Sequence, residues 1–138
     1  MEKFHWDDTY SVGVSQMDDE HRIILSTINQ MLDAPDVSAG SEAISNILTQ
    51  LAKYASKHFE HEERLLKEHG YPDLSAHRGE HQLFRREVAA FCLSLMDEQT
   101  PTQGAYDDLL RFLRRWWNEH ILIEDMQYRS FLNQLGIT

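Results

Sequence analysis

Residues 44–65, ISNILTQLAKYASKHFEHEERL, decide the fold. Ile44, Ile47, Leu48, Leu51 and Ala55 recur at three- and four-residue intervals, the period of one face of an α-helix. The same stripe then continues in phase through His58, Glu62 and Leu65. Two polar groups therefore follow an apolar face into the interior. A neutral polar side chain buried without a partner costs on the order of 2–7 kcal/mol, and a charged one more. Something inside the protein must meet His58 and Glu62. Gly70 and Pro72 stop the helix, as a C-terminal glycine followed by proline should.

Three more stripes flank this one. Before it, apolar residues at 24, 25, 28, 31 and 32 share a helical face with His21, and Pro35 with Asp36-Val37-Ser38-Ala39-Gly40 ends that run. After it, Asp73 can cap a helix whose stripe is His77, His81, Phe84, Val88, Phe91, Cys92 and Leu95. Thr100-Pro101-Thr102-Gln103 then makes a capping box with proline at the first helical position. The last stripe buries Tyr106, Leu109, Leu110, Leu113 and Trp117, passes through His120 and reaches Tyr128, Phe131 and Leu132 before Gly136. Helices are expected over about 18–33, 41–69, 73–97 and 101–134, with residues 1–17 (Phe4, Trp6 and Tyr10 among them) as an ordered N-terminal arm. Long amphipathic helices with short connections predict an all-α, up-down-up-down four-helix bundle, one domain spanning 1–138.

Composition narrows the function. Lys plus Arg is 13 and Asp plus Glu is 23, a net charge of −10 that repels phosphate backbones and anionic lipid. Arg111, Arg114 and Arg115 read as a solvated helix face. Nucleic acid and membrane are not expected partners. The N-terminus lacks the apolar run of a signal peptide and no stretch approaches transmembrane length, so the expected location is the cytoplasm. Cys92 is the single cysteine and is expected as a packed core thiol.

Across the four stripes, His21, His58, Glu62, His77, His81, His120 and a carboxylate near the end of the fourth helix all face inward. Residues four apart share a face, so His77 with His81, and His58 with Glu62, can each grip one ion. Taken singly, each histidine is an ordinary buried imidazole. Jointly they come from all four helices, and the partner that satisfies such a set is metal. Five imidazoles and two carboxylates exceed the four ligands of a tetrahedral zinc. They suit two six-coordinate ions bridged by both carboxylates, with one position left for a small ligand. Imidazole with carboxylate favours iron, with manganese and zinc also compatible. Asp125 follows His120 by five residues, about 140° further round an ideal helix. Glu124, at four residues, shares the histidine's face better. Either Glu124 is the second carboxylate or the helix widens locally, as π-bulges at functional sites do.

The runs Asp18-Asp19-Glu20-His21, His58-Phe59-Glu60-His61-Glu62-Glu63, Gly70-Tyr71-Pro72, His77-x-x-x-His81 and His120-Ile121-x-x-x-Asp125 resemble the hemerythrin family in its single-domain bacterial form. The resemblance covers essentially the whole chain, including Trp6 and Ser11-Val12-Gly13-Val14. It implies two iron ions joined by an oxo or hydroxo bridge, binding dioxygen reversibly for storage, transport or delivery, in a protein that is not an enzyme. It also implies Asp125, not Glu124, as the second carboxylate. One iron would take His77, His81 and His120. The other would take His21 and His58, leaving a position for dioxygen, and Glu62 with Asp125 would bridge the pair. Ile24, Phe59, Trp117 and Ile121, beside these ligands, would form a dry oxygen pocket. Glu20 stands where the family usually has glutamine, and Leu66 where methionine is frequent. Neither is a ligand position, so both bear on tuning alone. His5, His61 and His69 match no ligand position and are expected on the surface or arm.

Other chemistries explain less. His77-Arg78-Gly79-Glu80-His81 fits the pattern of inverted zinc peptidases, but that leaves His21, His58 and His120 without a role. A ferritin-type oxidase or peroxidase carries Glu-x-x-His pairs on two helices, whereas the one here is Glu2 to His5, in the arm. Sensing of oxygen or nitric oxide would act through a separate partner, since no output domain is recognisable along the chain, and no protein partner can be named from the sequence.

Overall fold

The computed structural model describes residues 2–33, 41–96 and 103–138. After a 3-10 turn at Asp8–Tyr10 come helices α1 (Ser15–Asp33), α2 (Ser41–Glu68), α3 (Leu74–Met96) and α4 (Gln103–Trp116). A π-helical segment (Trp117–Asp125) and α5 (Met126–Gln134) follow. Trp116 (φ −59°, ψ −45°) and Met126 (φ −66°, ψ −25°) both keep right-handed helical backbone, so α4, the π segment and α5 form one continuous rod. α1 packs on α2, α2 on α3, α3 on α4, and α4 back on α1. The result is an all-α, up-down-up-down four-helix bundle, with no strand among the described residues.

The first helix begins at Ser15 rather than near Asp18. Asp18 lies in its first turn, where a carboxylate is favoured by the unpaired N–H groups of a helix N-terminus. It also ties down the arm, accepting from Ser11 Oγ at 2.6 Å and from the Val12 N–H at 2.8 Å. Gly13 between them takes φ +72°, and a Cβ there would sit 2.8 Å from the Asn133 side chain. The arm thus reaches the last helix through a position only glycine fills without strain.

The α2 stop is a Schellman motif: Tyr71 N–H bonds to Leu66 O at 2.9 Å and Gly70 N–H to Lys67 O at 3.2 Å, with Gly70 at φ +71°. The expected stop at residues 35–40 and the capping residues Thr100, Pro101 and Thr102 lie outside the described residues, as does the side chain of Leu95. Cys92 is half-buried at the edge of the core rather than packed within it.

Two apolar clusters leave the site between them. The larger joins Leu25, Ile28, Met31, Leu48, Leu51, Tyr106, Leu110 and Leu113 around the helices' far half, and includes Ile24, Phe59, Trp117 and Ile121. The smaller joins the arm's Val12 and Val14 to Met17, Leu66, Tyr71, Tyr128 and Leu132. Rigid packing on both sides holds the intervening polar groups in place.

Candidate metal centre

His21 comes from α1, His58 and Glu62 from α2, His77 and His81 from α3, and His120 and Asp125 from the π segment. None of the seven is more than 3% exposed. A π-helix closes bonds to the fifth residue, so positions five apart stack on one face. That is how Asp125 joins His120 inside while Glu124 stays half-buried at the margin. The residue spacing admitted either carboxylate, and the local widening of the helix brings in Asp125.

The carboxylate oxygens sort the imidazoles into two sets. Glu62 Oε1 faces His81 Nε2 at 3.1 Å and also contacts His77 Nε2, while Asp125 Oδ1 lies 3.1 Å from both His77 Nε2 and His120 Nε2. Glu62 Oε2 faces His58 Nε2 at 3.1 Å and His21 Nε2 at 3.5 Å, and Asp125 Oδ2 lies 3.1 Å from His21 Nε2. One set has three nitrogens and two oxygens, the other two nitrogens and two oxygens. Within each of two groups, Glu62–His77–His81–His120 and His21–His58–Glu62, the donor atoms lie within 4.8 Å of one another, close enough to hold an ion.

Hydrogen bonding accounts for only two of these contacts, those of His77 and His81 Nε2 with Glu62 Oε1. His21 Nε2, His58 Nε2, His120 Nε2 and both Asp125 oxygens are buried without a hydrogen-bond partner among the described residues. Native interiors rarely leave such atoms unsatisfied, so the cluster has the donor chemistry of a cation site.

A surrounding layer of groups fixes the imidazoles. His58 Nδ1–H donates to Glu20 Oε1 at 2.7 Å, and His61 Nδ1–H donates to Glu20 Oε2 at 2.7 Å. His81 Nδ1–H donates to Glu63 Oε2 at 2.9 Å, and Arg78 Nε–H donates to Glu63 Oε1 at 3.1 Å. Such bonds select the tautomer that turns Nε2 inward and raise its basicity. Tyr128 OH donates to Glu62 Oε2 at 2.9 Å. Phe59 stacks on His81 (3.9 Å, 11°) and Trp116 on His120 (4.6 Å, 10°), while Trp117 meets His21 edge-on at 6.3 Å. The expected pocket residues Ile24, Phe59, Trp117 and Ile121 are all buried.

Glu20, Glu63, Tyr128 and Trp116 acquire roles here that their places in the sequence did not assign. The one available signal was adjacency: Glu20 precedes His21 and Glu63 follows Glu62. His5 is exposed, whereas His61 and His69 are half-buried. His61 bonds Glu20 and stays outside the cluster, and His69 Nδ1–H donates to Leu65 O at 2.8 Å.

Without metal, the charges couple strongly. Burial pushes the His21 imidazole down, but Asp125 and Glu62 outweigh it and carry it up to about 9. Burial likewise opposes His77, which Glu62 and Asp125 lift to about 10. His81 is lowered, first by burial. Burial raises Glu62, yet His58 and His77 hold it well below the ordinary carboxylate range. Asp125 is raised by burial and by Glu62, but His120 and His21 prevail and keep it ionised. Tyr128 is pushed well above its usual value by burial and by Glu62, so its hydroxyl remains a donor. Two buried carboxylates stay charged and attract positive charge, whether as protons on imidazole or as metal.

The family model described as Hemerythrin HHE cation binding domain matches residues 12–132. A bacteriohemerythrin of Stenotrophomonas maltophilia is 30% identical over 135 residues, covering 95% of this chain and 85% of that protein. One from Clostridium acetobutylicum is 32% identical over 129 residues, covering 91% and 98%. A myohemerythrin of Theromyzon tessulatum is 27% identical, covering 95% of each chain. A crystal structure of wild-type hemerythrin matches with a TM-score of 0.80 at 27% identity, covering 92% of this chain and 95% of that one.

Proposed function

The chain belongs to the hemerythrin family, and from that premise we propose that it binds dioxygen reversibly, for storage, transport or delivery, rather than turning over a substrate. The family's cofactor is a pair of iron ions, and the buried donor set fits it. In this reading His77, His81 and His120 hold one iron, His21 and His58 hold the other, and Glu62 and Asp125 span both. The observation that carries the reading is the sorting of oxygens: Oε1 and Oδ1 face the three-histidine set, Oε2 and Oδ2 the two-histidine set. The second set, one imidazole short, would leave a coordination position for a small ligand.

When bound, the iron pair supplies the electrons that let dioxygen attach and leave unchanged. The protein's share is positioning and exclusion. Glu20 and Glu63 hold His58 and His81 by their outer nitrogens, so neither ring has to reorient when a ligand arrives. Tyr128 donates its hydroxyl hydrogen bond to the ionised Glu62 Oε2 and stays neutral in doing so. Ile24, Phe59, Trp117 and Ile121 are buried beside the ligand histidines and would keep bulk water from the centre.

The reading treats residues 1–138 as one domain and places it in the cytoplasm. Among the described residues no helix is long and apolar enough to cross a membrane. A net charge of −10 disfavours nucleic acid as a partner.

The test is the visible spectrum of anaerobically reduced, iron-loaded protein taken through air and then argon. A charge-transfer band that appears in air and vanishes under argon is expected. Irreversible conversion to the ferric form on first exposure would defeat reversible binding.

A further inference from the structure

One ligand imidazole turns its outer edge toward the surface. His58 points Nε2 at Glu62 and donates from Nδ1 to Glu20, and at 3% it is the most exposed of the five site histidines. Over that outer edge lies a pocket of about 250 Å³ between α1 and α2, lined by Glu20, Ile23, Tyr54, Lys57, His58 and His61. Ile23 and Tyr54 give it apolar walls, 47% and 43% exposed. A gas molecule seated here would meet the imidazole edge already held by Glu20, on the far side from Nε2. An electron needs only contact with the ring.

The chemistry of the rim indicates what kind of carrier fits. Tyr54, Lys57, His61 and Arg64 recur along one face of α2, spanning about 15 Å of helix axis. Lys57 and Arg64 are exposed and form no ion pair among the described residues. Both Glu20 oxygens are taken by His58 and His61. The surface therefore offers a flat aromatic ring with Lys57 in the pocket and Arg64 in the adjoining one, beside Glu68, on a chain whose net charge is −10. A second pocket reaches His120, but its two carboxylates, Glu80 and Glu119, outnumber its one cation, Arg115, whereas Glu20 and Lys57 balance in the pocket over His58.

We propose that the pocket over His58 is the electron-input site, where a reduced flavin nucleotide lays its ring on Tyr54 and Ile23 and its phosphate near Lys57 and Arg64. The inference rests on the di-iron reading. Whenever oxygen leaves as hydrogen peroxide, carrying two electrons and two protons, the centre would be left with both irons ferric and must be re-reduced before it binds oxygen again. The reduced flavin loses two electrons, one to each ferric ion. The two hydrogens on its reduced ring nitrogens leave as protons to solvent at the pocket mouth, and oxidised flavin and a diferrous centre remain. Aromatic stacking and charge-assisted contacts to phosphate supply the affinity.

Docking is read with oxidised flavin mononucleotide and iron-loaded ferric protein, between which no electron passes. Its fluorescence should quench saturably, and the affinity should fall about tenfold in Tyr54→Ala and in Lys57→Glu, a loss of about 1.4 kcal/mol each. Anaerobic mixing of the ferric protein with reduced flavin mononucleotide should give re-reduction that saturates with flavin. That rate should drop about tenfold in the same variants at subsaturating flavin, with oxygenation spectra unchanged. No saturable quenching, or equal re-reduction in wild type and variants, would overturn the proposal. Absence of docking in protein that holds two irons and cycles with oxygen would reject the pocket alone. Protein that fails to hold iron would reject the di-iron reading and electron input together.

Discussion

Glu62 meets four imidazoles and a phenol with two oxygens: His77 and His81 at Oε1, His21, His58 and Tyr128 at Oε2. Changes around it should therefore be graded. His77→Ala removes a nitrogen from the three-histidine set, and iron content should fall from two per chain toward one, with oxygen binding lost. Two irons and normal oxygenation in that variant would remove His77 from the ligand set. Tyr128→Phe keeps the ring and removes only the donor to a charged oxygen, so both irons should remain. Stability by chemical denaturation should drop by about 1.5–3 kcal/mol, the range for hydrogen bonds to charged groups. An unchanged midpoint would make that bond dispensable. The five histidines and Glu62 were legible in the sequence because each puts an ionisable group on an otherwise apolar stripe. Glu63 was not, because it lies one position off the stripe and acts by reaching from α2 to His81 on α3. Periodicity within one helix carries no information about such a crossing. Tyr128 hid for the opposite reason, since a tyrosine on an apolar stripe reads as core.

Two elements depart from ideal geometry, and both departures serve the site. The π segment gives Asp125 the inward register and leaves Glu124 half-buried at the margin. Asp125→Ala should accordingly lower iron content, and Glu124→Ala should not. Equal losses in the two variants would contradict the register. At the other end, Gly13 holds φ +72° against Asn133. Gly13→Ala should destabilise the fold by about 1–2 kcal/mol, the cost of left-handed backbone in an L-residue. A thermal midpoint equal to wild type would show that the arm can shift to accommodate it. Helix existence and order were readable from hydrophobic period, because four stripes each end in glycine, proline or a capping residue. Local winding was not readable. A 3.6-residue period leaves residues 124 and 125 as rivals, and the helix start at Ser15 depends on Asp18 bonding back to the arm rather than capping the helix.

Taken as a whole, the molecule concentrates its electrostatic tension at one point. In the iron-free protein, Asp125 and Glu62 overcome burial to lift His21 to about 9, and Glu62 and Asp125 lift His77 to about 10. A histidine held above its unfolded value of about 6.5 stabilises the fold fully below that pH. The contribution fades as pH rises through the folded values. The thermal midpoint of iron-free protein should therefore fall between about pH 7 and about pH 10. Iron competes with protons for the same nitrogens, so loading should strengthen over the same interval. A flat or rising midpoint in the iron-free protein would contradict this coupling. The most direct measurement is anomalous diffraction at the iron edge from crystals of the loaded protein. The account predicts two peaks, one beside His77, His81 and His120, the other beside His21 and His58, with Glu62 and Asp125 between them. A single peak, or two peaks that divide these residues differently, would contradict it.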